Sequence, residues 1–400
     1  MNKYLLIVLI CLFNLGLGLS QKNTWRAELA LNDRLSLPFF LEELSDDHSS
    51  SYHIVNGPEK IDLTMKQKGD SLQLSFLEMD SYLMISLDSL NNFRGYWQNN
   101  IKGQRIPLHG ISGRFPRFHS SSGSKPLRIA EKYSVTFSLT DDPWPAIGLF
   151  EQAGQNVSGT FLTETGDFRF LSGNVYGNEF YLSCFDGSHA FLFTAKINGE
   201  ALIGRFYSGT SYQTDWEGIA DKNARLRSPN KLTYIIDSTL SLNDVNVTTT
   251  CGFKKKLGAF KSPVTIIQIM GSWCPNCLDE TNYYKALYQK YHEQGLEIKC
   301  IAFEYGATKR IQRKKIKRFA DKAEIPYPVY LGGAANKKTA SVLFPMLNEI
   351  SSFPTSLFLN EKGEIVFIHT GFNGPGTGDV FKNYKKEIEG LFTPFFCFEV

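Results

Sequence analysis

The sequence predicts an α+β protein: an N-terminal antiparallel β-domain, barrel or sandwich, followed by a three-layer α/β domain. Two observations carry this expectation. From about Trp25 to Asp221 the chain runs in short apolar–polar alternations separated by turn residues, whereas from about residue 236 short apolar runs alternate with stretches of helical periodicity. Composition agrees, because 33 glycines and 31 phenylalanines in 400 residues favour β-structure, while 42% hydrophobic residues is ordinary for a globular chain. That length leaves room for two or three domains, each burying its own core.

The first twenty residues stand apart. Lys3 supplies a short positive region, Tyr4 to Phe13 an apolar core, and Gly18 and Ser20 the small residues at −3 and −1 of a cut before Gln21. A signal peptide over 1–20 and an exported, periplasmic mature chain are therefore expected. Read as a membrane span, the segment is short and broken by Asn14, Gly16 and Gly18. Cys11 invites a lipid anchor, but bulky Ile10 precedes it and the apolar core runs past it, which disfavours that reading. The net charge of +3, with 43 basic against 40 acidic residues, gives no global field for nucleic acid or a membrane surface.

Within the β-domain, expected over 21–235, "SLQLSFLEMD", "SYLMISLDSL", "KYSVTFSLT" and the long run from Glu179 fit period two. Asp186-Gly187 and Asn198-Gly199 are turn pairs between such runs. The parts at roughly 25–110 and 130–220 each close on an aromatic and glycine run, as a weak internal duplication would, joined by a basic, serine-rich loop from Gly113 to Arg128. A boundary is expected near Ala220 to Asn230.

The second domain, expected over 236–400, opens with a buried strand at Val264 to Ile269. Glu280, Tyr283, Tyr284, Leu287, Tyr288 and Tyr291 follow at helical spacing, stopped by Gly295. "LEIKCIAF" is a second strand, and Ile316, Phe319, Ala320 and Ala323 mark a second helix ended by Pro326 and Pro328. "TSLFL", a turn at "NEKG" and "EIVFIH" make a hairpin, and Val380, Phe381, Tyr384, Ile388 and Leu391 a last helix. The predicted order is β, α, β, α, β, β, α.

Export changes how cysteines are read. Six remain after the leader, Cys184, Cys251, Cys274, Cys277, Cys300 and Cys397, too few for a disulfide scaffold of this size, and only Cys274 and Cys277 are close in sequence. They stand where a strand turns into a helix, whose unpaired N–H groups and partial positive charge stabilise a thiolate. Two intervening residues let both sulfurs meet across one helical turn. A zinc site would need two further ligands, and there is neither a second close pair nor an HxxxH, so no metal and no other cofactor is expected. A permanent staple closing so small a loop would restrict little entropy. A redox-active Cys274–Cys277 pair is the reading that remains.

Trp273-Cys274-Pro275-Asn276-Cys277 on a strand–helix turn, with Phe353-Pro354-Thr355 before the closing hairpin, resembles the thioredoxin fold, and more narrowly the TlpA/ResA-like exported thiol–disulfide reductases. The resemblance covers about residues 236–400. It implies that Cys274 attacks and Cys277 resolves, that Pro354 is cis and shapes a groove for a substrate strand, and that Trp273 packs beside the disulfide. It further implies that Glu280, three residues after the second cysteine, tunes the pair's proton traffic, and that a helical insertion lies at roughly Ala307 to Leu347. Proline stands first in the Pro-Asn dipeptide, where thioredoxin has it second, and bulky Phe353 precedes Pro354. These departures bear on redox potential and substrate preference.

The expected function is thus reduction of disulfides in exported proteins, with a membrane-embedded electron donor. The alternatives are a disulfide oxidase or isomerase, or an envelope binding protein with a non-catalytic cysteine pair. Peroxide reduction is disfavoured because "QIMGSWC" lacks Pro-x-x-x-Thr-x-x-Cys. "CFDGSHA" gathers Cys184, Asp186 and His189 within six residues, but reads as a hairpin turn rather than a nucleophilic site. "GFNGPGTGD" fits no phosphate-loop pattern. The seven basic residues from Lys309 to Arg318 read as the wet face of a helix, with docking of an acidic partner or anionic lipid as the other possibility.

Overall fold

The computed structural model describes residues 21–392 except 46–48, 78, 120–123 and 259. The expected leader, Cys11 and Cys397 lie outside the described residues. Among those described, no helix is long and apolar enough to cross a membrane.

The β-region is antiparallel and closed, as the barrel alternative expects, and consists of two such rings. Eight antiparallel strands from Gln21–Asn32 to Gln104–Ser112 follow one another around the first, which closes where Trp25 to Leu29 pair with Ser112 to Leu108. The second runs from Lys132–Phe137 to Tyr212–Ala220. Its ring closes because Lys132–Phe137 pairs with both Trp144–Ala153 and Tyr212–Ala220, and Trp144–Ala153 also pairs with Asn156–Thr163. The short strand Gly166–Asp167 is appended outside that ring. Side chains alternate inward and outward as the period-two pattern requires. The first interior holds Trp25, Phe39, Leu74, Phe76 and Trp97, and the second is filled by rings, with Phe161 on Phe193 at 4.5 Å and Phe193 on Phe206 at 4.5 Å.

Two turns differ in detail from expectation. The hairpin predicted at Asn198-Gly199 turns on Gly199 and Glu200, because Asn198 pairs with Ala201. The one at Asp186-Gly187 is a four-residue connection, in which the Asp186 carboxylate accepts the Ser188 and His189 N–H groups at 2.8 and 2.6 Å. The basic linking stretch is partly interior: Arg117 is 3% exposed and donates to the Val55 carbonyl at 2.9 Å and the Ser183 carbonyl at 3.3 Å, tying the barrels together.

The C-terminal region is built on a seven-stranded mixed sheet. Val264–Met270, Leu296–Glu304 and Val329–Ala334 are parallel in its centre. Thr355–Leu359 and Ile365–Thr370 are antiparallel at one edge, and Asn246–Thr249 and Lys254–Lys256 at the other. Val264–Met270 is buried throughout, so its two faces point into different cores. Ile266 and Met270 meet helices α1 (Pro275–Tyr291), α2 (Lys309–Lys322) and α4 (Asp379–Phe392), while Ile267 and Ile269 meet α3 (Lys337–Leu343) and the segment beyond it. This makes the expected three layers. The stretch 307–347 is not purely helical, however. It contains the central strand Val329–Ala334, whose "VYLGGA" lacks alternation and follows two prolines that read as a helix stop.

Candidate active site

Cys274 is the N-cap of α1. Its backbone is extended, and its Sγ accepts the Cys277 N–H at 3.3 Å, using a donor that the helix start leaves unpaired. Pro275 occupies the first helical position, where its missing N–H costs nothing. Cys274 lines an open cleft, whereas Cys277 is fully buried one turn along, and burial beside the Cys274 sulfur pushes its thiol well up. Across from Cys274 the Phe353–Pro354 peptide bond is cis, and the Cys274 thiol lies 3.5 Å from the Phe353 carbonyl. Trp273 is pinned by its indole N–H to the Phe303 carbonyl at 3.0 Å and meets Phe353 edge-on at 5.8 Å.

Beneath the pair lies a buried polar network. Gln268 is the one amide on the α1 face of strand Val264–Met270, and its side chain donates to Glu280 at 2.9 Å. Ser356 and Tyr284 donate to the other Glu280 oxygen at 3.0 and 3.3 Å, and Thr281 donates to the Cys277 carbonyl at 2.8 Å. Burial pushes the Glu280 carboxyl up to about 8, against these hydrogen bonds, which favour the anion. Glu280 is therefore interior, not a solvated helix carboxylate.

All the singled-out residues, Trp273, Cys274, Cys277, Glu280, Phe353 and Pro354, converge here. No local sequence signal shows that the second barrel faces them. The cleft of about 530 Å³ has Trp273, Cys274, Pro275 and Phe353 on one side and Trp144, Thr163 to Phe168, His189 and Phe191 on the other. The sides are in register through several contacts. Gly166 bridges to Phe372, and the Asn276 amide donates to the Asp167 and Phe372 carbonyls at 3.3 and 3.2 Å. Ser188 Oγ donates to the Trp273 carbonyl at 3.3 Å. Glycine is required at this seam: a Cβ on Gly371 (φ +78°) would sit 2.5 Å from the Thr165 backbone. The "GFNGPGTGD" loop is thus a packing surface, with the Gly374 N–H donating to Asp167 at 2.5 Å.

The "CFDGSHA" turn is indeed a hairpin connection, yet it joins all three bodies. Cys184 is buried in the second core, and Phe185 enters the first barrel, 4.6 Å from Phe39 and 5.0 Å from Trp97. Asp186 holds His189 Nδ1 at 3.2 Å on the cleft wall. Burial opposes its ionisation, but His189 and Arg169 keep its carboxyl below the usual range. Arg169, at φ +60°, binds Glu59 of the first barrel and Asp279 of α1, both at 2.6 Å, and lies 3.5 Å from Asp186. Burial, with Asp167 and Glu59 nearby, pushes Asp279 up to about 7 although Arg169 opposes this.

Residues 241–388 match the Redoxin family, on the fold and motif just described. The matched stretch is the C-terminal region and makes up less than half of the chain. It is similar to the thiol-disulfide oxidoreductase ResA of Halalkalibacterium halodurans, 32% identical over 106 residues, covering 26% of this chain and 52% of that protein. It is also similar to ResA of Bacillus thuringiensis subsp. konkukian, 29% identical over 138 residues, covering 34% of this chain and 70% of that protein. The chain thus spans about half the length of the first of these relatives. Among solved structures, the thioredoxin domain of a thiol-disulfide oxidoreductase from Bacteroides vulgatus matches 38% of this chain and 99% of its own, at 14% identity and a TM-score of 0.29. A thiol:disulfide interchange protein of Chlorobium tepidum matches 41% of this chain and 98% of its own, at 18% identity and a TM-score of 0.27.

Proposed function

We propose that this chain is a thiol–disulfide oxidoreductase that reduces disulfides of exported proteins through Cys274 and Cys277. The observation that carries the reading is a thiol that lines the cleft and caps a helix, with a second, fully buried thiol one turn behind it and the Phe353–Pro354 segment opposite. The Cys274 thiolate attacks one sulfur of a substrate disulfide, forming a mixed disulfide, and the other substrate sulfur leaves as a thiolate and takes a proton. Cys277 then loses its proton and attacks Cys274 Sγ. The 274–277 bond forms, the mixed disulfide breaks, and the second substrate thiol departs. Two electrons have passed to the substrate, and a dithiol donor embedded in the membrane returns them.

Each remaining residue has a role in this scheme. Glu280, its carboxyl near 8 and linked through Gln268 and Thr281 to the Cys277 turn, takes part in the Cys277 proton transfer. Trp273, Phe353 and Pro354 hold the substrate segment against Cys274. Residues 1–20 direct export to the periplasm, the β-rich part over 21–235 covers the site, and 236–400 carries the chemistry. The basic face of α2 is a docking surface for an acidic partner, although Arg318 is itself engaged with Asp80 at 3.1 Å.

Insulin reduction driven by dithiothreitol tests this. Cys274→Ser is expected to reduce the rate to background, and Cys277→Ala to accumulate a mixed disulfide visible on a non-reducing gel. A Cys274→Ser chain with undiminished turnover would sink the proposal.

A further inference from the structure

The thioredoxin-like side of the cleft accounts for the chemistry, but more of the lining belongs to the second barrel, and that wall has a chemical character of its own. Trp144 stacks on the buried Phe137 at 4.2 Å, and Phe168 packs against Phe191 at 5.0 Å and Phe206 at 5.2 Å. Both are therefore continuations of the barrel core. Each nonetheless keeps part of its ring exposed, and that part faces Cys274 across the cleft. Partly exposed rings held on a rigid support are the usual material of an apolar subsite.

The polar groups on this wall are already engaged. Glu164 is bound by Arg227 at 2.5 and 2.6 Å, Asp167 accepts the Gly374 N–H, and His189 Nδ1 is turned to Asp186. The lining includes two carboxylates and neither lysine nor arginine. A small disulfide carrying several carboxylates would find no lysine or arginine in the lining itself, and the nearby Arg227 is already taken up by Glu164. The volume, about 530 Å³, suits a few residues of extended chain and is too small for a folded surface.

We propose that the second barrel is the specificity wall of this site, and that the cleft takes an extended peptide segment whose disulfide cysteine is flanked by an aromatic or large aliphatic side chain seated against Trp144 and Phe168. This rests on the disulfide-exchange reading above. It assigns to the barrel a part in recognition that the thioredoxin-like region alone does not supply.

The test uses the full chain, reduced beforehand, and three oxidised probes: two cystine peptides identical except for phenylalanine or serine beside one cysteine, and glutathione disulfide. Burying a phenylalanine ring predicts kcat/KM about tenfold or more higher for the phenylalanine peptide than for the serine one, with glutathione disulfide slowest. In Trp144→Ala and in Phe168→Ala the ratio between the two peptides should fall to within about twofold of one. The ratio is internal to each preparation, so partial unfolding of a variant cannot mimic it, and Trp144, on the rim, is the safer of the two substitutions. Equal rates on both peptides, a ratio unchanged in both variants, or preference for glutathione disulfide would overturn the inference while leaving disulfide exchange intact. Failure of the unsubstituted chain to reduce any probe would overturn both.

Discussion

The two barrels share a strand count and an up-and-down path, yet they end differently. The first is stoppered: Phe185, reaching in from its neighbour, packs against Phe39, Phe76 and Trp97 and is fully buried. The second presents Trp144, Phe168 and Phe191 to the thiol cleft. The same architecture serves once as an anchor and once as a wall, so function lies in what meets the rim rather than in the fold. Arg169 and the 185–189 turn fix that difference, because they join both barrels to α1.

Removing that clamp should have the largest effect on stability. Arg169→Ala leaves Glu59, Asp186 and Asp279 without their shared cation in a buried setting, and is expected to cost about 3–5 kcal/mol, read as a lower denaturant midpoint. A midpoint within error of the parent would show that the three bodies do not depend on it. Phe185→Ala sharpens the contrast between the rims. It should destabilise the chain by about 3 kcal/mol, toward the low end for a buried phenylalanine because a barrel mouth can collapse. The peptide selectivity ratio should stay unchanged, the opposite of Trp144→Ala. A collapsed ratio in Phe185→Ala would mean that the two rims are not separable.

The smallest effect is a pH dependence. Glu280 titrates near 8 in the folded chain against an ordinary value of 4.5, so the folded state holds a proton that the unfolded state has lost. Its contribution is most favourable below about 4.5, falls as pH rises, and levels off above about 8. Glu280→Gln, which cannot ionise, should therefore gain thermal stability relative to the parent by a few degrees between pH 5 and pH 8. A difference in melting temperature that stays constant across that range would contradict the assignment.

The thioredoxin-like half was legible in the sequence because its signals are local. A CxxC on a strand–helix turn, a Phe-Pro-Thr before a hairpin and period-3.6 apolar residues each sit within a few positions of one another. Alternation likewise marked the β-strands. Ring closure could not be read, since it depends on edge strands such as Gln21–Asn32 and Gln104–Ser112 meeting across some eighty residues, and period two says nothing about which strands are neighbours. The strand Val329–Ala334 escaped because two glycines weaken its pattern. The cleft's second wall was the least visible. Asp186 and His189 were noticed as a polar cluster, but nothing local indicated that their hairpin would dock on Trp273, and Arg169 in "GDFRF" has no distinguishing neighbours.

The central claim is that Cys274 and Cys277 form a reducing pair, and its most direct test is the reduction potential of the full chain, equilibrated against glutathione or dithiothreitol and read by thiol alkylation. The account predicts about −250 mV or lower, in the range of thioredoxin. A value near about −120 mV would mean that the dithiol is the stabilised form, making the protein a donor of disulfides and reversing the proposed flow of electrons.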